Sequence, residues 1–430
     1  MSRTTVSGDV LEKLQRDTFD YFLEQTNPHN GLVVDSTREG AASSIAAVGL
    51  ALAAYAAGAE RGFITRADAA QRVLTTLRFF RDSSQGDDTD ATGYQGFFYH
   101  FLDMQTGRRA LDSELSTIDT TFLLAGALAA ATYFDRDTNG EGELSQIADA
   151  LYRRADWQWA QNGDLTVAHG WKPESGFLKS RWEGYSEALL LYVLGLGSPT
   201  HPLPAASYEA WTRTYRWREL YGHAFLYAGP LFIHQLSHVW IDFRGIQDDY
   251  MRQRGIDYFE NSRRATLVHQ QYAIRNPNNF KGYGELCWGL TACDGPGPST
   301  HRIDGIERRF YDYEARSLPD GPDDGTIAPW AAVASLPFAP EIVLPTIAFM
   351  NEAYPQMMSE YGVRCSFNPT FTDESRHRRG WHSERYYGLD QGPIVLMIEN
   401  HRSGFLWSLM KHCPYVVSGL RRAGFENGWL

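Results

Sequence analysis

The sequence predicts an all-α protein, a closed (α/α)6 toroid of about twelve helices built as one domain over residues 1–430. Three observations predict it. Apolar residues recur at helical spacing from end to end, alternating strands are scarce, and loops rich in Gly, Pro and aromatics separate the periodic segments.

The periodic segments occupy 10–25, 43–61, 65–82, 116–134, 143–160, 185–196, 208–215, 248–272, 339–353, 393–407 and 416–423, with shorter ones near 229–238 and 328–335. Two of them, carrying AASSIAAVGLALAAYAAG and LLAGALAAA, hold small and branched apolar residues broken by Gly. They are too short for membrane spans, so they read as inner helices packed closely on their neighbours. Long irregular stretches at 83–112, 276–307 and 373–387 are predicted to form the rim of a cleft. No heptads, short repeats or low-complexity linker are visible, which predicts no second domain.

Hydrophobic residues make up 43% and charged residues 21%, enough for a substantial core. The net charge is −12 and no run gathers the basic residues, so nucleic acid is excluded as the expected partner. Aromatics reach 13%, many beside Gly or a carboxylate, where a flat ring with a polar edge can stack on sugars. Cys287, Cys293, Cys365 and Cys413 show neither CxxC nor zinc spacing and are expected to be reduced and structural. The start MSRTTVSGDVLEKLQRDTF lacks an apolar signal core, which predicts a cytoplasmic location for the chain as given, or a periplasmic one where a leader has been removed.

Hydrolysis of a glycosidic bond needs one carboxylic acid to protonate the leaving oxygen and a second carboxylate to activate water or attack the sugar. Three places offer acids at helix mouths. In Arg181-Trp182-Glu183-Gly184-Tyr185-Ser186-Glu187, Glu187 falls in the first turn of an apolar helix, where burial would raise its pKa. Helix-dipole stabilisation explains the same residue equally well. Ser116 and Asp119 have the spacing of a helix cap, which leaves Glu114 just upstream unexplained. In Tyr386-Tyr387-Gly388-Leu389-Asp390, Asp390 precedes a Pro-initiated helix at Pro393 and is either a cleft acid or its N-cap. Pro322-Asp323-Asp324-Gly325 reads as a turn.

Other motifs fall away. His234 and His238 stand four apart, but the HExxH glutamate is absent. Residues 135–141 open like a calcium loop, yet position twelve is Gln146. No G-x-S-x-G, G-x-G-x-x-G or P-loop is present. No metal or organic cofactor is expected.

The stretches FYHFLDMQTGRRALDSELSTIDTTFLLAGAL, GFLKSRWEGYSEALLLYVLGLGSPTHPL, QLSHVWIDFRGIQDDYM, NPNNFKGYGELCWGLTACDGPG, DGTIAPWAAVASLPFAPE and YYGLDQGPIVLMIENHRSGFLW resemble the glycoamylase-like domain. That domain is typified by the bacterial endo-β-1,2-glucanases of glycoside hydrolase family 144, with a related domain in cyclic β-1,2-glucan synthases. The resemblance runs from roughly Asp17 to Gly424. It implies an (α/α)6 barrel, a β-1,2-glucan substrate, Glu187 as general acid and Asp119 in the same cleft. For the second catalytic carboxylate Asp390 is chosen over Asp119.

The expected substrate contacts are Glu114, Trp182, Glu183, Tyr185, His238, Trp240, Tyr283, Glu285, Trp288, Trp381 and Tyr387. An inverting β-1,2-glucanase leads. A retaining hydrolase or transglycosylase stays open, as do a sugar epimerase using His100, His234, His238 or His269 and a non-catalytic glucan-binding protein.

Overall fold

In the computed structural model, which describes residues 8–136, 138, 140–372 and 380–430, the longest helices coincide with the strongest apolar periodicity. In order they are α1 (Gly8–Glu24), α2 (Ile45–Arg61), α3 (Arg66–Asp82), α4 (Thr117–Tyr133), α5 (Glu141–Arg154), α6 (Trp157–Gln161), α7 (Leu189–Gly197) and α8 (Ala205–Thr212). After them come α9 (Leu236–Trp240), α10 (Asp249–Arg254), α11 (Tyr258–Arg275), α12 (Pro329–Ala334), α13 (Pro340–Ala353), α14 (Gly388–Ser403), α15 (Phe405–Lys411) and α16 (Pro414–Arg422).

Three predicted helices are broken by local chemistry. Segment 143–160 divides at Asp156, whose side chain caps α6 by accepting from Trp159 N. Segment 248–272 divides at Gly255, left-handed at φ 69°, and restarts where Asp257 caps α11. Segment 393–407 begins five residues earlier, at Gly388, encloses Pro393 and stops at Gly404. Segment 185–196 does not become helical until Leu189.

The apolar helices lie inside. Every residue of α7 is buried, as are Ile45–Gly58 of α2 and Thr117–Ala130 of α4. α2 packs on α4 and α14, α14 on α12, α4 on α7 and α7 on α9. The α2–α4 crossing is backbone on backbone. A Cβ on Gly49 would sit 2.2 Å from Phe122 O, and one on Gly126 2.0 Å from Gly49 O. Small residues therefore set the interaxial distance there. α1, α3 and α5 keep an exposed face and pack on the inner set.

Strands are present too, each two to five residues long, too short to leave an alternating pattern in the sequence. A five-stranded antiparallel sheet joins Gly93–Tyr94, Phe97–Tyr99, Leu115–Ser116, Gly170–Lys172 and Gly176–Phe177. Leu115–Ser116 runs directly into α4, and Ser43–Ser44, paired with Phe101–Leu102, runs into α2. The hairpin Ser299–Ile303/Ile306–Phe310 turns through Asp304 and Gly305, at φ 52° and 79°. All four cysteines are free and buried. Among the described residues no helix is long and apolar enough to cross a membrane. Asp137 and Asn139 of the calcium-like segment, and 373–379 of the third predicted rim loop, lie outside the described residues.

Candidate active site

The strands at the starts of α2 and α4 carry the first half of the site. His100 is fixed by its backbone, donating N–H to Glu114 O at 2.9 Å and accepting from Ile45 N at 3.2 Å. Its ring stacks on Phe101 at 4.0 Å. Nδ1 is 3.0 Å from Glu114 Oε1 and Nε2 is 3.7 Å from Asp119 Oδ2. Burial alone would lower the pKa of His100, but Asp119, Glu114 and Asp35 outweigh it and lift the value to about 9. The ring is thus an imidazolium at neutral pH. Burial pushes Glu114 up, and the hydrogen bond and charge of His100 reverse this, leaving it below the usual range. Asp119 also accepts from Ser116 Oγ at 2.5 Å, so the capping pair and the cleft acid are the same residue. The ligand atoms of His100, Glu114 and Asp119 lie within 4.8 Å of one another. With no metal bound, the imidazolium is the counter-cation of Glu114 and Asp119.

The start of α14 brings the second half. Gly388 N donates to Asp35 O at 2.9 Å, and Ser36 bridges to Tyr387. The N-cap of α14 is Tyr387, which makes Asp390 a first-turn acid rather than the cap. Asp390 is buried, its Oδ2 has no hydrogen-bond partner among the described residues, and the Cys365 thiol bonds its carboxyl. Burial first, then the charges of Asp294 and Asp35, hold Asp390 well above the ordinary carboxyl range. Asp294 accepts from Ser383 Oγ and Tyr387 Oη, each at 2.8 Å. Asp35 is raised to about 6 by burial and by Asp119 and Asp294, against the pull of His100.

Glu187 stands in the turn ahead of α7, not in its first turn. Ser237 Oγ donates to its backbone oxygen at 3.0 Å, and Leu189 N bonds Ser186 O at 3.3 Å, which fixes the turn. Its side chain is only partly accessible, and burial, with a contribution from the charge of Asp119, raises its pKa to about 7. Trp182 lies close by in the chain, buried, stacked on His169 at 3.8 Å and bonded through Nε1 to Thr117 Oγ1 at 3.0 Å. A carboxyl that keeps its proton near neutrality, in one electrostatic cluster with carboxylates, is equipped for acid–base chemistry on a neutral polar ligand.

Several predicted contacts belong elsewhere. His238, Trp240 and Trp288 are closed off in the core. His238 bonds Ser262 Oγ at 3.0 Å and Trp288 bonds Thr346 Oγ1 at 2.9 Å, so they are packing residues rather than sugar platforms. Tyr185 is buried against Tyr258, Tyr215 and His234. Tyr283 donates to Asp323 at 2.6 Å, and Trp381 packs on the Ile303, Phe310 and Phe371 cluster. Glu183 and Glu285 are exposed, with no ion pair or hydrogen bond to these acids among the described residues. Burial lowers His234 to about 4 and His238 and His269 to about 3, leaving them neutral and out of reach.

Sequence reasoning missed Asp35 and Asp294. Each is a single acid in a loop, in LVVDST and TACDGPG, and the only local signal is an acid directly after a buried apolar run.

Comparison with known proteins places this architecture. A family model described as "Putative glucoamylase" matches residues 179–414. A solved structure from Bacteroides uniformis described in the same words shares 33% identity, with a TM-score of 0.87 over 99% of this chain and 100% of that one. The endo-β-1,2-glucanase of Chitinophaga pinensis, solved with sophorotriose and glucose, shares 27% identity, with a TM-score of 0.86 and 100% of both chains covered. The exo β-1,2-glucooligosaccharide sophorohydrolase of Parabacteroides distasonis is 28% identical over 96% of this chain, which spans 57% of that relative's length. The fold is the helix-rich one that these proteins share. The chain belongs to the glycoamylase-like family.

Proposed function

We propose that the chain hydrolyses β-1,2-glucan to short β-1,2-linked gluco-oligosaccharides by an inverting acid–base mechanism. The observation that carries this reading is Glu187, whose pKa burial, with the charge of Asp119, raises to about 7. Relatives named for β-1,2-glucan cleavage support the choice of substrate.

In the proposed reaction Glu187 gives its proton to the glycosidic oxygen as the C1–O bond breaks. Water attacks C1 from the opposite face and its proton passes to Asp390. Burial and the neighbouring charges raise the proton affinity of Asp390, so it takes the water proton only in molecules where it is ionised, and there it is a strong acceptor. Asp119 and Glu114, held by His100, accept from sugar hydroxyls. The scaffold we propose is a double ring in one domain, with α2, α4, α7, α9, α12 and α14 as the inner six helices, which would put all these acids at one end of the ring.

Incubation with linear β-1,2-glucan should release sophorose-series products, and absence of such products overturns the proposal. Proton NMR of the first product should show the α-anomer. A β-anomer would instead make the second carboxylate a nucleophile.

A further inference from the structure

Tyr313 is 54% exposed, in a chain that hides most of its aromatic residues. Its position is set from both sides. Glu314–Ala315 pairs antiparallel with Ala292–Cys293, with Cys293 opposite Glu314, so the ladder lays Tyr313 alongside Asp294. Its ring lies 6.1 Å from that of Tyr387, the residue whose hydroxyl holds Asp294. Burial and the charge of Asp390 raise the pKa of Tyr313.

The backbone beneath the ring is rigid. Arg316 is fully buried and bonds Asp324 through two contacts of 2.8 Å. The same guanidinium donates to the carbonyls of Tyr311, Asp312, Glu314 and Cys293, at 3.3, 3.2, 3.4 and 2.7 Å. Asp324 also accepts from Tyr311 N at 2.9 Å. The residues flanking Tyr313 are therefore clamped while its side chain is left open, the arrangement of a preorganised contact.

We propose that Tyr313 is a sugar-stacking platform of the cleft, placing a glucose ring beside Asp294 and Asp390, with the buried Arg316–Asp324 pair as its pedestal. This rests on the hydrolase reading above and adds a substrate contact to it. The flat face supplies the interaction, so Phe should replace Tyr and Ala should not.

The test is calorimetric titration of linear β-1,2-gluco-oligosaccharide into Glu187→Gln protein, alone and combined with Tyr313→Ala or Tyr313→Phe. Steady-state kinetics of the two Tyr313 variants in the otherwise native chain run alongside. Tyr313→Ala should weaken binding and raise KM by about tenfold with kcat changed far less, as expected for loss of a binding contact made equally in ground and transition states. Tyr313→Phe should stay within about twofold of the parent. Parent-like binding and KM for Tyr313→Ala, or equal losses for Ala and Phe, overturn the platform and leave the hydrolase reading standing. Absence of binding by the parent overturns both.

Discussion

Replacing Glu187 by Gln should make the protein slower and, at alkaline pH, more stable. Raising a carboxyl from the ordinary 4.5 to about 7 costs the folded state about 3 kcal/mol once the group is ionised. Below pH 4.5 the carboxyl is protonated in both the folded and the unfolded chain, and the cost is absent. Between 4.5 and 7 the unfolded chain releases its proton while the folded chain keeps it, so stability falls as pH rises, and above 7 the full cost applies. Gln removes the titration. The variant should match the parent near pH 4.5 and exceed it at pH 8 by up to about 3 kcal/mol, less any lost hydrogen bond, which is a few degrees in Tm. Turnover on β-1,2-glucan should fall by ~10²–10⁴, the usual worth of general acid catalysis. Thermal melts at the two pH values and a reducing-sugar assay read both effects. A Tm difference that is the same at both pH values would refute the desolvation argument, and near-native turnover would refute the catalytic one.

Asp390→Asn should fold normally, because Asn resembles the protonated acid that burial favours, yet lose turnover by ~10²–10⁴; circular dichroism with the glucan assay checks this, and retained activity moves the base elsewhere. The His100 C2 proton should titrate near pH 9 by NMR, with a midpoint lowered by Asp119→Asn; its stabilisation is full below the ordinary 6.5 and fades as pH rises through about 9, so a midpoint near 6.5 in the parent would dissolve the ion cluster. Asp324→Asn leaves Arg316 buried with its countercharge removed and should destabilise by ~3–5 kcal/mol in thermal or denaturant melts.

Helices were legible where apolar residues run long, all round in α2 and α4, which are buried on every side, and along one face in α11. Breaks at Asp156 and Gly255 were also written locally, as a cap and a glycine, but periodicity running across them hid both. Of the site, Glu187, Asp119, Glu114 and Asp390 stood out as acids at helix mouths, and the structure brings them into one cluster. Asp35 and Asp294 did not, because only pairings to residues far along the chain, such as Gly388 with Asp35 and Tyr387 with Asp294, carry them there. His238, Trp240 and Trp288 were misread for the converse reason. A polar or aromatic residue next to a carboxylate or glycine looks like a ligand contact until long-range packing closes over it.

The glycine contact between α2 and α4 bears on how such a protein could be engineered. Exchanging a helical glycine for alanine ordinarily gains about 1 kcal/mol, so Gly49 and Gly126 look like easy targets for thermostabilisation. Here the added methyl would drive two main chains apart, and no side-chain reduction compensates, since the atoms met are backbone: those of Phe122 and Leu123 opposite Gly49, and those of Gly49 opposite Gly126. Gly126 lies seven residues beyond Asp119, roughly 10 Å down the helix axis, and a wedge at that pivot would swing the mouth residues of α4 away from those of α2. A mutational scan scored for both melting temperature and glucan turnover should find these two positions intolerant on both axes, although neither belongs to the acid cluster.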